Sequence, residues 1–164
     1  ALRRLSIALL VLAACGGDSP GLVTTTTSVV GTTSATTTTA VDQLASFATT
    51  TVTISGETWT VAVADTPARR ALGLMGITDL GGRDGMLFIF EEDTDSGFWM
   101  KDTLIPLDVA FFDASGVLVD LLTMVPCESD PCPVYTPAGE YRYAIETEAG
   151  RWDAIDRPGL VLEE

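Results

Sequence analysis

From residue 52 onward the chain alternates apolar with polar or small positions in short runs, punctuated by Gly, Pro and Asp. Val52–Ile54 and Thr58–Ala64 flank Ser55-Gly56-Glu57, which reads as an antiparallel hairpin with Trp59, Val61 and Val63 on one face. Thr66-Pro67 then supplies an N-cap and a proline at the first helical position, so a short helix is expected over Pro67–Met75. Ala68, Ala71, Leu72 and Met75 follow the i, i+3, i+4, i+7 spacing and are its expected packing face, while Gly73 weakens it and Gly76 stops it. Gly81–Gly85 is a loop, and the continuous apolar run Met86–Phe90 reads as a buried strand. Glu91–Gly97 is an acidic turn, and Phe98–Lys101 the next strand. In Leu107–Phe112, Leu107, Val109 and Phe111 face one side, and Asp108, Ala110 and Phe112 the other. Asp113–Gly116 is a hairpin turn into a strand over Val117–Val125, followed by a proline-rich loop. Tyr141–Thr147 and Leu160–Leu162 are the last strands, with Gly150 marking a turn between them. The pattern predicts a mainly β fold: a compact antiparallel β-barrel or sandwich of seven or eight short strands with one short helix, over residues 52–164. A domain of this size buries roughly two-thirds of the surface its unfolded chain exposes and can stand alone.

The first half of the pattern is different. Residues 1–14 hold Arg3 and Arg4 ahead of a short apolar run, Leu5–Leu12, which is the layout of an export signal. That run is well below the roughly 20 residues needed to span a bilayer. Leu12-Ala13-Ala14-Cys15-Gly16 resembles a bacterial lipoprotein cleavage site, with Cys15 as the lipidated mature N-terminus. The alternative is an ordinary signal peptide with an incidental cysteine. Lipidation with more than one acyl chain gives stable anchoring to a membrane, and places the domain at the outer face of the cytoplasmic membrane or in the cell envelope. Residues 15–51 then read as a low-complexity tether, in which ten of the sixteen residues of Thr24–Thr39 are Thr. Few large apolar groups are available there to offset ordering entropy. Such a stretch is either a bare spacer or an O-glycosylated stalk.

Composition narrows function further. There are 23 acidic and nine basic residues and no histidine, for a formal charge of −14. Such a charge argues against nucleic acid, whose phosphates are neutralised by Lys and Arg, and against adsorption to anionic lipid. Without histidine there is no Ser–His or Cys–His catalytic pair. With Cys15 taken by lipid, Cys127 and Cys132 remain, and Cys127-Glu-Ser-Asp-Pro-Cys132 in an oxidising compartment is expected to form a disulfide. Redox catalysis favours Cys-x-x-Cys, and two thiolates without histidine make a poor zinc site. Asp93-Thr94-Asp95 opens like a calcium loop, but the twelfth position is Leu104 where an EF-hand needs Glu. The four methionines on apolar strands read as core filler, with soft copper ligation as the minor alternative. No cofactor is expected.

The densest polar chemistry lies in Gly97–Asp108, which contains Trp99, the chain's only lysine (Lys101), Asp102, Thr103 and Asp108. One reading makes Trp99 an aromatic platform, with Lys101, Asp102, Thr103, Asp108 and Glu146 as polar groups of a site for a small polar ligand or glycan. A structural reading has Trp99 filling the barrel, Lys101 pairing with Asp108 or Glu146, and Asp102-Thr103 closing a turn. A third sets Asp102 with Asp108 or Glu146 as the acid and base of a glycan hydrolase.

Gly73-Leu74-Met75, Gly85–Phe90, Phe98–Thr103, Ile105–Asp108, Phe112-Asp113 and Gly116 resemble, in order and spacing, the bacterial and archaeal family labelled domain of unknown function 192. Tyr135, Tyr143–Glu146 and Gly150 continue the likeness, which spans about residues 52–164. The resemblance implies a small β-rich fold with a short helix and no assigned activity. This chain departs from the family pattern at Ile77, where the family usually has Arg, and at Asp102, where it usually has Asn. The reading overall is a lipid-anchored extracytoplasmic binding or accessory module. The alternatives are a carboxylate-dependent envelope hydrolase or a purely structural envelope protein.

Overall fold

The structure, a computed structural model, describes residues 40–156 and 158–162. The leader, Cys15 and the Thr-rich run lie outside these residues. The fold starts earlier than composition suggests, with helix α1 (Ala40–Ala45) and strand β1 (Ala48–Ile54). Leu44 and Phe47 are buried in the core. The Thr residues of β1, which look like spacer by composition, are β-branched and suit a half-buried strand. Strand β2 (Glu57–Ala64) pairs with β1 along its whole length, from Ala48↔Val63 to Ile54↔Glu57. The turn between them is Ser55-Gly56, both at positive φ (49° and 92°), as a two-residue hairpin requires.

Helix α2 (Pro67–Leu72) is capped by Thr66, whose hydroxyl accepts the Arg69 N–H. It ends three residues before the expected stop, because Gly73 turns the chain at φ 48°. Its expected packing face does not pack: Ala68, Ala71 and Leu72 are exposed and Met75 is half-buried. Burial passes to Leu74, Ile77 and Leu80, carried on the succession of turns that follows. This connection returns the chain to β3 (Gly85–Thr94), which lies parallel to β2. The sheet is therefore mixed rather than wholly antiparallel, since a parallel neighbour needs such a crossover. β3 also runs through the acidic segment expected to be a turn. Its ladder is irregular between Ile89 and Thr94, and Asp93 is paired with Arg142 at 2.9 Å.

β4 is only Phe98–Trp99, and it pairs with β7 (Val134–Tyr135) in the proline-rich segment where no strand was expected. β5 (Leu107–Phe112), β6 (Leu118–Met124), β8 (Tyr141–Glu148) and β9 (Leu160–Leu162) agree with the sequence pattern to within a residue at each end. The described residues thus hold nine strands and two short helices. Seven strands form one sheet in the order β6-β5-β8-β3-β2-β1-β9. It curls until its two edges touch at the bridge Val117↔Gly159, where Leu160 N–H donates to the Gly116 carbonyl at 2.9 Å. A Cβ on Gly116, which sits at φ 81°, would run into the Leu160 carbonyl oxygen.

Both faces of this sheet are buried, which explains the continuous apolar runs. One face carries Ala62, Met86, Phe88, Val109, Phe111 and Ala144, covered by Leu44, Phe47, Leu74, Ile77 and Leu80. The other carries Trp59, Val61, Leu87, Ala110, Phe112 and Ile145, closed by Trp152 and Leu160. Trp152 lies 4.8 Å from Trp59, centroid to centroid, and the Arg151 guanidinium rests 4.1 Å above the Trp59 ring. The Cys127–Cys132 disulfide is formed and closes the loop between β6 and β7. Among the described residues no helix is long and apolar enough to cross a membrane.

Candidate functional site

The first face of the sheet is not completely covered. Between the end of α2 and the β4 ribbon it opens into a cleft of about 240 Å³. One wall is the segment Arg70–Met75. This wall turns at Gly73, whose φ of 48° a side-chain-bearing residue adopts only with strain. The opposite wall is Ser96–Trp99. Gly97 permits β7 to approach, because a Cβ at that position would collide with the Val134 side chain.

Alternation along β4 sends Phe98 inward and Trp99 outward. Phe98 meets Phe88 and Phe111 edge-on, with centroids 5.0 and 5.5 Å away. Trp99 stays 48% exposed at the mouth of the cleft. Tyr141 is buried against Phe90 and Phe111, and its hydroxyl donates to the Ser96 carbonyl at 2.7 Å. Burial raises its phenol pKa well above the ordinary value. Arg70 donates to the Asp65 and Ile89 carbonyls at 3.0 and 2.7 Å and lies 4.7 Å above the Phe90 ring.

Glu146 is the deepest polar group of the cleft. It sits in β8, in register with Met86 of β3 and Val109 of β5, on the apolar first face. Its residue exposure is 4%, and no described group donates a hydrogen bond to its carboxyl or pairs with it. Burial alone pushes its pKa from 4.5 up to about 8. It is the only carboxyl among the residues lining the cleft.

Of the six residues singled out by sequence, the structure brings Trp99, Thr103 and Glu146 to this cleft. Thr103 is buried and donates its hydroxyl to the Lys101 carbonyl at 3.3 Å. The other three go elsewhere. Lys101 pairs with neither Asp108 nor Glu146; its ammonium lies 3.3 Å from both carboxylate oxygens of Asp130. Asp102 is exposed in a left-handed turn (φ 54°), and its carbonyl accepts the Gly76 N–H at 2.8 Å. Asp108 is buried on the opposite face of the sheet. It accepts from the Thr123 hydroxyl at 2.7 Å and from the Gly150 N–H at 2.6 Å, so it ties the turn after β8 to β5 and β6. The reason is parity: Asp108 and Val109 face opposite ways, and Glu146 pairs with Val109.

Sequence reasoning missed Arg70, Phe88, Phe90, Ser96, Phe98 and Tyr141 as wall residues. The available signal was Glu146 itself, a carboxylate in the middle of an apolar strand. Its neighbours in the sheet become visible only once strand order is known. The segments Gly73–Met75, Met86–Phe90, Phe98–Thr103 and Tyr143–Glu146, distant in sequence, all contribute to this one cleft.

The comparisons agree with this architecture. The family model for DUF192, described as uncharacterized ACR, matches residues 50–160, and the chain belongs to that family. Two solved structures share the fold. One is a Sinorhizobium meliloti 1021 protein, described provisionally as a transcription regulator, with 29% identity and a TM-score of 0.63 over 71% of this chain and 95% of that one. The other is a protein of unknown function from Novosphingobium aromaticivorans DSM 12444, with 28% identity and a TM-score of 0.60 over 71% of this chain and 85% of that one. Among curated proteins none matches.

Proposed function

We propose that this chain is a lipid-anchored extracytoplasmic module that holds a small ligand in the Glu146 cleft. The observation that carries the reading is the carboxyl of a residue only 4% exposed, without a described partner, that lines a cleft walled by aromatic rings. Leaving a polar group in that condition costs free energy that a folded protein ordinarily avoids. An occupant that satisfies it supplies the reason for keeping it. At about 240 Å³ the cleft falls below the range typical of drug-sized sites, so it suits a small molecule or a single sugar unit rather than a chain of them.

The anchoring half of the reading rests on the Arg3–Cys15 leader and the Thr-rich run. Cys15→Ser is expected to move the protein from the membrane to the soluble fraction; continued partitioning with membranes would refute anchorage through Cys15. For the cleft, Trp99→Ala and Glu146→Gln are each expected to weaken binding of a ligand found by screening. Unchanged affinity in both variants, with the fold intact by circular dichroism, would remove the cleft from consideration.

The hydrolase alternative gains no support, because such chemistry uses two carboxyls facing one cleft and the lining residues hold only Glu146. The regulator description of the S. meliloti relative is not carried over either, given 23 acidic against nine basic residues in this chain.

A further inference from the structure

Resting on that reading of the cleft, the geometry points to the class of its occupant: a small organic cation, an amine or quaternary ammonium with apolar substituents, whose charge faces Glu146 and whose carbon groups lie among the aromatic rings.

Three observations lead there. The first is the supply of counter-charge. Glu146 is 4% exposed, has no described donor, and opens into the cleft, so a cation is the partner that its ionised form lacks. The one cationic side chain of the lining, Arg70, is engaged with two backbone carbonyls and the Phe90 ring and makes no ion pair with Glu146.

The second is the character of the walls. Phe88, Phe90, Phe98, Trp99 and Tyr141 all line the cleft, and aromatic rings attract cations electrostatically, most strongly where water is excluded. The third is the commitment of two hydroxyl donors of the lining. The Tyr141 hydroxyl hydrogen is committed to Ser96 and that of Thr103 to Lys101. A quaternary ammonium has no N–H hydrogen bonds to lose on entering a cleft where these donors are taken. The whole chain adds to this, since a formal charge of −14 draws cations toward the protein and repels anions.

The pairing has a pH signature. Glu146 must release its proton to face a cation, so binding gains strength up to about pH 8 and levels off above it. Of the elements packed around the carboxyl, β3 presents Met86, Phe88 and Phe90 and β5 presents Val109, none of which titrates. α2 contributes Arg70 and β8 contributes Tyr141, whose phenol is held protonated well above this range. On the β4 side Trp99 and Thr103 are uncharged, and Lys101 is turned to Asp130.

The test uses the full chain and two probes of one shape: choline, a permanent cation, and its uncharged isostere 3,3-dimethylbutan-1-ol. Binding is followed by the Trp99 indole resonance and by calorimetry from about pH 6 to pH 9. Choline is expected to bind at least about tenfold tighter than the isostere above pH 8, with its affinity rising by up to about tenfold per pH unit below that. Glu146→Gln is expected to abolish both the preference and the pH dependence while the isostere still binds. Because that substitution also removes a buried ionisable group, thermal unfolding confirms that the variant is folded. Equal affinities for the two probes, or a choline preference that survives in Glu146→Gln, would overturn the cation assignment and leave the cleft as a site for neutral ligands. If neither probe shifts Trp99 at millimolar concentration, the assignment and the ligand-site reading both fall.

Discussion

Asp102 shows how a residue that looks chemical can be conformational. It stands at φ 54°, where L-residues other than Asn, Asp and Gly are disfavoured, and its side chain is exposed. The asparagine that the family pattern places here suits such a turn by backbone preference alone. Asp102→Asn is therefore expected to raise stability by up to about 1 kcal/mol, measured by urea denaturation, without changing the cleft. Ile77, the other departure, lies fully buried in the first core and serves there as packing. Glu146 is the opposite case. Below about pH 4.5 its carboxyl is protonated in both folded and unfolded states, and its burial has no pH-dependent cost. As pH rises from there to about 8 the unfolded chain ionises while the folded chain retains the proton, so stability falls. At about 1.4 kcal/mol per unit the loss approaches about 5 kcal/mol and is constant above pH 8. Glu146→Gln should match the parent in thermal melts at pH 4 and exceed it at pH 8.5; equal melting temperatures at both would contradict the shift. Glu146 was legible in the sequence as a candidate, but its isolation was not. Whether a carboxylate in a strand finds a partner depends on which strands flank it.

Among the elements, the longer strands and the start of α2 declared themselves, and the packing face of α2 did not. Apolar runs and period-two alternation between Gly and Asp turns mark β2, β5, β6 and β8 closely: β5, buried on both sides, is almost wholly apolar, and β6, at the edge, keeps polar residues where it meets solvent. α2 follows a helical period and yet buries none of its residues, since the curvature at Gly73 assigns the packing role to Leu74, Ile77 and Leu80. The β4–β7 ribbon was unreadable for a different reason. Each strand is two residues long, and the pairing depends on Gly97 letting Val134 approach. The disulfide lies in the same region and closes a loop of only six residues. In the chain-entropy model its loss costs about 2 kcal/mol, so the Cys127→Ala/Cys132→Ala variant should melt lower while keeping the β-sheet circular dichroism of the parent. The same variant should release the Lys101–Asp130 pair, which is held by the disulfide loop, and leave Glu146 unaffected.

For the molecule as a whole, the seam between Gly116 and Leu160 joins the two outermost strands of the sheet. Gly116→Ala would force a side chain into the left-handed region and against the Leu160 carbonyl. It is expected to cost at least about 2 kcal/mol by chemical denaturation, with β9 losing amide protection first. The position of that seam along the chain also governs when folding can finish. A ribosome delivers residues in order, and β8, which lies between β3 and β5, and β9, which covers β1, are the last strands to emerge. Until they do, β3 and β5 have no common neighbour and β1 keeps an open edge. The sheet can therefore close only after β8 and β9 have left the ribosome, whatever the earlier strands have already paired.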